Sequence, residues 1–180
     1  MIASLVVAAV LAAPPGSEIL IDVPPECRQP NWEFNEQGSC VNASVITLLR
    51  ARGHDQIADW WRENHGGGET STSILRKLDA AGIKYAVTRG GDVGLLEYAS
   101  RNRLGAVLFY TNRRRYPVGY HAVNLVDFND SFAVLVDNNR PLEFDTIPRD
   151  QFISEWQANS GFALVLLYPP PPPWPAARQT

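Results

Sequence analysis

The chain is predicted to fold as an α+β domain, with helices first and a mostly antiparallel sheet after them. Three observations carry this reading. Apolar residues recur at helical spacing in three stretches before Gly82. From Ile83 the pattern turns to alternation (Ile83, Tyr85, Val87) and to short apolar runs such as Ala106 to Tyr110. Asn129-Asp130 lies between two such runs as a hairpin-turn signal.

Taken in order, residues 14–39 read as irregular, because Pro14, Pro15, Pro24, Pro25 and Pro30 are spread among polar residues. A helix starts near Ser39 or Cys40, with Val41, Val45, Leu48 and Leu49 on its apolar side, and stops at Gly53. A second helix covers about Asp55 to Asn64, with Ile57, Trp60 and Trp61 inward, and Gly66 to Gly68 break it. Thr70 to Ser73 supply N-caps for a third, which carries Ile74, Leu75 and Leu78 and stops at Gly82. Ile83 to Val87 is a strand. Gly90, Gly91 and Asp92 turn the chain and cap a fourth helix marked by Leu95, Leu96 and Ala99. Ala106 to Tyr110 is a central strand. Ala122 to Phe128 and Phe132 to Val136 form a hairpin, and Leu142 to Ile147 adds a strand. Pro148 suits the first turn of a last helix bearing Phe152, Ile153 and Trp156, before a final strand at Phe162 to Leu167.

The composition narrows the function. The chain has 180 residues, 45% hydrophobic and 19% charged, with a net charge of −3. That length fits one domain with tails, and the apolar content excludes disorder for most of it. Nucleic acid is not an expected partner, since no strong basic excess exists. No apolar run reaches the ~20 residues of a spanning helix. Residues 1–13 carry no charge, and Leu5 to Ala13 resemble the apolar core of a secretory signal. Yet no Lys or Arg precedes Arg28, and Pro14 and Pro15 follow at once. Secretory or membrane association through this segment and a cytoplasmic location are therefore equally open. The expected organisation is an apolar segment at 1–13, a linker at 14–26, a domain at 27–168 and a proline-rich tail at 169–180. Pro169 to Pro173 favour an extended polyproline helix, a stiff tail that can serve as a docking peptide for a protein partner.

Chemistry-bearing residues are few: Cys27 and Cys40, with His54, His65 and His121. No Cys-x-x-Cys or His-Glu-x-x-His spacing is present, so neither a metal nor another cofactor is expected. Cys40 stands where a helix begins, in Gln37-Gly38-Ser39-Cys40. Unpaired N–H groups and the helix dipole there favour thiolate over thiol, and the same N–H groups can stabilise an oxyanion. His121 opens one hairpin strand, and Asp137-Asn138-Asn139 closes its partner. A two-residue turn at Asn129-Asp130 places His121 opposite Asn138. A bulge or a longer turn brings Asp137 opposite instead. The choice among Asp137, Asn138 and Asn139 as orienter of the imidazole stays open on these grounds. Cys40 in a disulfide with Cys27, or as a buried inert thiol, is the non-catalytic alternative. His54 and His65 receive no role. Asn42-Ala43-Ser44 matches a glycosylation sequon but falls inside a helix. Gly66 to Gly68 lack the Lys-Ser/Thr ending of a phosphate loop. Arg113 to Arg115, just before His121, read as a solvated loop or as a lip that greets an acidic substrate segment.

These pieces resemble the papain-like cysteine peptidases, and among them the bacteriocin-processing peptidases that cut after double-glycine leaders. The matching residues are Gln37 to Cys40 with the following helix, Tyr120 to Val126, Val136 to Asn139, and Asp150 to Trp156 running into the last strand. The resemblance spans about residues 27–168. It implies a papain-like fold and a peptide or protein substrate. It also implies Cys40 as nucleophile, His121 as base and Asp137 as orienter. The family carries a Gln six residues before the Cys, for the oxyanion; this chain has Phe34 there, and Gln37 is the substitute candidate. Val41 stands where a Gly often follows the Cys. A peptidase or isopeptidase is the expected activity. A transglutaminase-like acyl transferase and a non-catalytic binding or structural module are the alternatives.

Overall fold

The computed structural model describes residues 23–32, 38–110 and 121–168. Residues 1–13, Gln37, Arg113 to Arg115 and the proline run lie outside the described residues.

Among the described residues, five α-helices pack on one six-stranded antiparallel sheet. The helices are α1 (Cys40–Ala51), α2 (Asp55–Asn64), α3 (Ser71–Ala80), α4 (Val93–Arg101) and α5 (Arg149–Ala158). The strands are β1 (Lys84–Thr88), β2 (Ala106–Phe109), β3 (Ala122–Phe128), β4 (Phe132–Val136), β5 (Phe144–Pro148) and β6 (Ala163–Tyr168). They lie in the order β1-β6-β2-β3-β4-β5. The last strand in sequence thus inserts between the first two.

The sheet is covered on both faces. Val107, Phe109, Leu164 and Leu166 meet Val45, Leu48 and Leu49 of α1, Ile57 and Trp61 of α2, and Ile74 and Leu78 of α3. Leu108, Leu125, Leu135 and Val165 meet Leu96 of α4 and Phe152 and Trp156 of α5. A sheet buried on both faces loses the polar alternation of a half-exposed one, and every residue of β2 and β3 is buried. Val23, inside the stretch read as a linker, is buried against Val126, Val134 and Val136, and a short turn at Pro25–Cys27 follows it.

The β3–β4 hairpin departs from the sequence expectation in two linked ways. Asn129 precedes the turn instead of sitting at its centre. Its Oδ1 accepts from the N–H groups of Ser131 (2.9 Å) and Phe132 (3.1 Å), the side-chain turn that Asn favours. Further along, Leu125 pairs with Leu135 but Asp127 with Val134, so Val126 is bulged. Ser100 of α4 supports the bulge: its hydroxyl donates to Asp127 Oδ1 (3.0 Å) and accepts from Phe128 N (3.0 Å). The outcome is a register with Asn124 opposite Val136, one residue away from the simple two-residue turn.

Helix α1 is the buried axis. Val41 through Leu49 are all buried, including Asn42, Ser44 and Thr47. Asn124 Nδ2 donates to Ser44 O (2.9 Å) and Arg52 donates to Leu166 O (2.6 Å), so the helix is fixed to the sheet by hydrogen bonds as well as by packing. Leu48→Ala is expected to lower the unfolding free energy by about 2–5 kcal/mol, read as a lower midpoint in chemical denaturation.

Candidate active site

The site forms where the N-terminus of α1 meets the adjoining ends of β3 and β4. Cys40 is the first residue of α1. Ser39 occupies the cap position but makes no side-chain cap. Its hydroxyl instead donates to Asn31 Oδ1 and accepts from Trp32 N (2.9 Å). The first-turn N–H groups are therefore not consumed by a capping oxygen. The N–H of Val41 and that of Ala122 at the start of β3 both reach the Cys40 sulfur.

His121 directly precedes β3, and Tyr110 N donates to its carbonyl (2.9 Å). The imidazole is buried, and its Nε2 lies 2.7 Å from Asp137 Oδ1. The same side chain is hydrogen-bonded to Cys40. With Nε2 committed to Asp137, Nδ1 is the nitrogen left for the sulfur. Asp137 follows β4 directly. Continued past Asn124–Val136, the hairpin register sets Asp137 opposite Val123, one diagonal step from His121. Asp137 Oδ1 also accepts from Asn139 N (2.9 Å), which fixes the carboxylate.

The electrostatics of the three groups interlock. Burial pushes the Cys40 thiol up, but the His121 hydrogen bond, the imidazolium charge and the N–H groups of Ala122 and Val41 outweigh it and hold the thiol below its ordinary value. Burial pushes His121 down. The hydrogen bonds and charges of Asp137 and Cys40 outweigh that, and the imidazole is pushed up to about 9. A lowered thiol beside a raised imidazole favours the thiolate–imidazolium form over the neutral pair.

Asn138 has a different setting. Its Nδ2 donates to Cys40 O (2.9 Å), Ser44 Oγ (3.1 Å) and Ala122 O (2.9 Å). The amide thereby joins the first turn of α1 to the start of β3, while Asp137 meets the imidazole. No disulfide joins Cys27 and Cys40 in the structure. Cys27 packs beside Val23 and the β3–β4 valines. Asn42 is fully buried, accepts from Trp61 Nε1 (3.1 Å) and donates to Gly67 O (3.2 Å). Its sequon-like triplet is thus internal. His65 lies against Trp60 and Trp61, and burial pushes its imidazole down. Sequence reasoning gave Asn31, Ser39 and Ser44 no role. The one local sign of them was polar residues clustered around Cys40, inside and just before an otherwise apolar helix.

Comparison with solved structures places the fold. The peptidase domain of Streptococcus ComA, a bifunctional ABC transporter of a quorum-sensing pathway, superposes with a TM-score of 0.57 at 18% identity, covering 79% of this chain and 97% of that one. A double-glycine-motif protease from an AMS/PCAT transporter, solved in complex with a leader peptide, gives 0.52 at 17% identity, covering 73% and 85%. A C39-like peptidase structure from Bacillus anthracis gives 0.53 at 13% identity, covering 72% and 88%. No family profile matches the sequence, and neither does any curated protein. The fold is that of the papain-like cysteine peptidases. Within that class, it is the fold of the C39 peptidase domains that include the double-glycine proteases.

Asp137→Ala removes the group that keeps His121 charged. The imidazole then falls toward its ordinary value of ~6.5, and near neutrality it no longer supports the thiolate. The pH for half-maximal alkylation of Cys40 by iodoacetamide is expected to rise by about one unit or more, followed by peptide mass spectrometry with Cys27 as internal reference.

Proposed function

We propose that the protein is a thiol-dependent hydrolase of peptide or isopeptide bonds, with Cys40 as nucleophile, His121 as proton carrier and Asp137 as orienter. The observation that carries this reading is a single imidazole that bridges a thiol at a helix N-terminus and a buried carboxylate. A purely structural module needs neither the lowered thiol nor the raised imidazole. The fold shared with peptidase domains, one of them bound to a leader peptide, favours an extended peptide segment as substrate.

In the proposed reaction the Cys40 thiolate attacks the carbonyl carbon, and the carbonyl π pair moves onto oxygen. The N–H of Cys40, at the uncapped start of α1, is positioned to donate to that oxyanion, and Gln37 is the candidate second donor. His121 passes its proton from Nδ1 to the leaving amine as the C–N bond breaks, leaving a thioester on Cys40. Water, deprotonated by the now neutral imidazole, attacks the thioester. The acid product leaves, and the thiolate–imidazolium pair is restored. Asp137 keeps Nε2 protonated throughout, so that Nδ1 faces the chemistry. Asn138 fastens the two elements that carry nucleophile and base.

The test is incubation with a complex peptide mixture and mass-spectrometric detection of new N-termini. Wild-type protein is expected to generate them. Cys40→Ala is expected to generate none while keeping its thermal midpoint, and His121→Ala to lose at least about a thousandfold in rate. Product formation should rise with pH as Cys40 ionises, below the ordinary thiol range, and fall as His121 deprotonates near about 9. Undiminished cleavage by Cys40→Ala would refute the assignment.

A further inference from the structure

Helix α1 carries the sulfur, and the turn after β4 carries the carboxylate. Asn138 joins α1 to β3, but Asp137 itself is held from elsewhere. The link runs through Asn31, which lies in the irregular stretch before α1 and is buried at 8% exposure. Every polar atom of Asn31 outside its own carbonyl reaches one of the two halves of the site. Its Oδ1 accepts from Ser39 N (2.9 Å) and from the Ser39 hydroxyl. Its Nδ2 donates to Asn139 Oδ1 (3.0 Å), and its backbone N–H donates to Asn138 O (2.9 Å). Ser39 is the residue before Cys40 and is fully buried. The N–H of Asn139 in turn donates to the Asp137 oxygen that meets His121 (2.9 Å and 2.7 Å).

We propose that Asn31 is a positioning residue for this site: its amide sets the distance between the Cys40 end of α1 and the Asp137 turn. An amide suits the task because it offers an acceptor and a donor at opposite corners of one rigid plane. Here the acceptor faces the helix start and the donor faces the turn. The effect on chemistry is indirect, since Asn31 bonds Ser39, Asn138 and Asn139 and none of the three reacting groups. Without it the first turn of α1 keeps only the Asn138 tie to this turn, and its position relative to Asp137 and the imidazole that Asp137 aims is less tightly set. An ångström of misplacement is enough to cost about a hundredfold in rate. The inference rests on the Cys40–His121–Asp137 reading and extends it.

The experiment measures the rate of Cys40 alkylation by iodoacetamide against pH, with Cys27 in the same chain as reference, together with the thermal midpoint. Four proteins are compared with wild type: Asn31→Ala, Asn139→Ala, His121→Ala and Leu78→Ala. Leu78 is a buried core residue of α3, and its apolar side chain makes none of these hydrogen bonds. Asn31→Ala is expected to slow Cys40 labelling near neutral pH about ten- to hundredfold and to move the half-maximal pH upward, as His121→Ala does. Asn139→Ala, which removes only the far end of the link, should move it less and in the same direction. It also provides the answer if Asn31→Ala does not fold. Leu78→Ala should lower the thermal midpoint and leave the labelling profile in place. If both asparagine variants melt earlier but label with the wild-type profile, Asn31 is merely structural and the proposal falls. If wild-type Cys40 labels no faster than Cys27 and His121→Ala changes nothing, the proposed catalytic reading falls and takes this inference with it.

Discussion

The bond between His121 Nε2 and Asp137 Oδ1 governs the site, because both partners are buried and one of them is ionic. A carboxylate taken out of water costs several kcal/mol unless donors replace the lost hydration. Asp137 receives two donors at the same oxygen, the imidazole and the Asn139 N–H. The carboxylate then raises the affinity of His121 for its proton, and the protonated ring lowers that of Cys40. Each ionisation thus stabilises the next. The desolvation that opposes all three is the same low-dielectric setting that strengthens their mutual attraction. The three residues behave as one unit, and the effects of removing them will not add.

Such a unit requires a frame that keeps buried polar groups at fixed separations. Two asparagines provide much of it. Asn124 in β3 and Asn138 after β4 each send an amide into α1, onto Ser44 O, Ser44 Oγ and Cys40 O. Hydrogen bonds in a dry interior are directional, and the loss of one partner leaves the other unsatisfied, at about 1–3 kcal/mol. Apolar packing of α1 on the sheet tolerates small sliding; this polar seam does not. The packing therefore supplies most of the stability, and the asparagines set the register in which Cys40 faces His121.

The parts of this arrangement that are local in sequence were legible there. Val41, Val45, Leu48 and Leu49 mark α1 by their spacing, and Cys40 stands at its start in the structure as in the sequence. The β3 and β4 runs were equally plain. Their register was not. It depends on a bulge at Val126 that is supported by Ser100, far back in the chain, and on an Asn129 side chain that shifts the turn by one residue. Spacing alone could not separate Asp137 from Asn138 and Asn139 for that reason. The insertion of β6 between β1 and β2 is also invisible to periodicity, since strand order reports packing between distant segments. Nor does a single buried polar position such as Asn31 announce itself: its partners lie 8 and 108 positions away.

The departure at Phe34 bears on how the proposed chemistry would be supported. Where the family that the sequence resembles carries a glutamine, this chain has Phe34, whose ring cannot donate. One such donor is worth about 10²–10³ in rate, or about 2.7–4 kcal/mol. The uncapped start of α1 offers part of the answer. Ser39 turns its hydroxyl back toward Asn31 and Trp32, so the cap residue's own oxygen does not compete with substrate for the first N–H groups. In that light the Asn31–Ser39 contact does two things at once. On the proposed reading it positions Cys40 relative to the carboxylate, and it draws the Ser39 hydroxyl away from capping the helix. Gln37, three residues before Cys40, is close enough in sequence to add a second donor. On the proposed reading, a Gln37 donor would make the difference between one oxyanion contact and two.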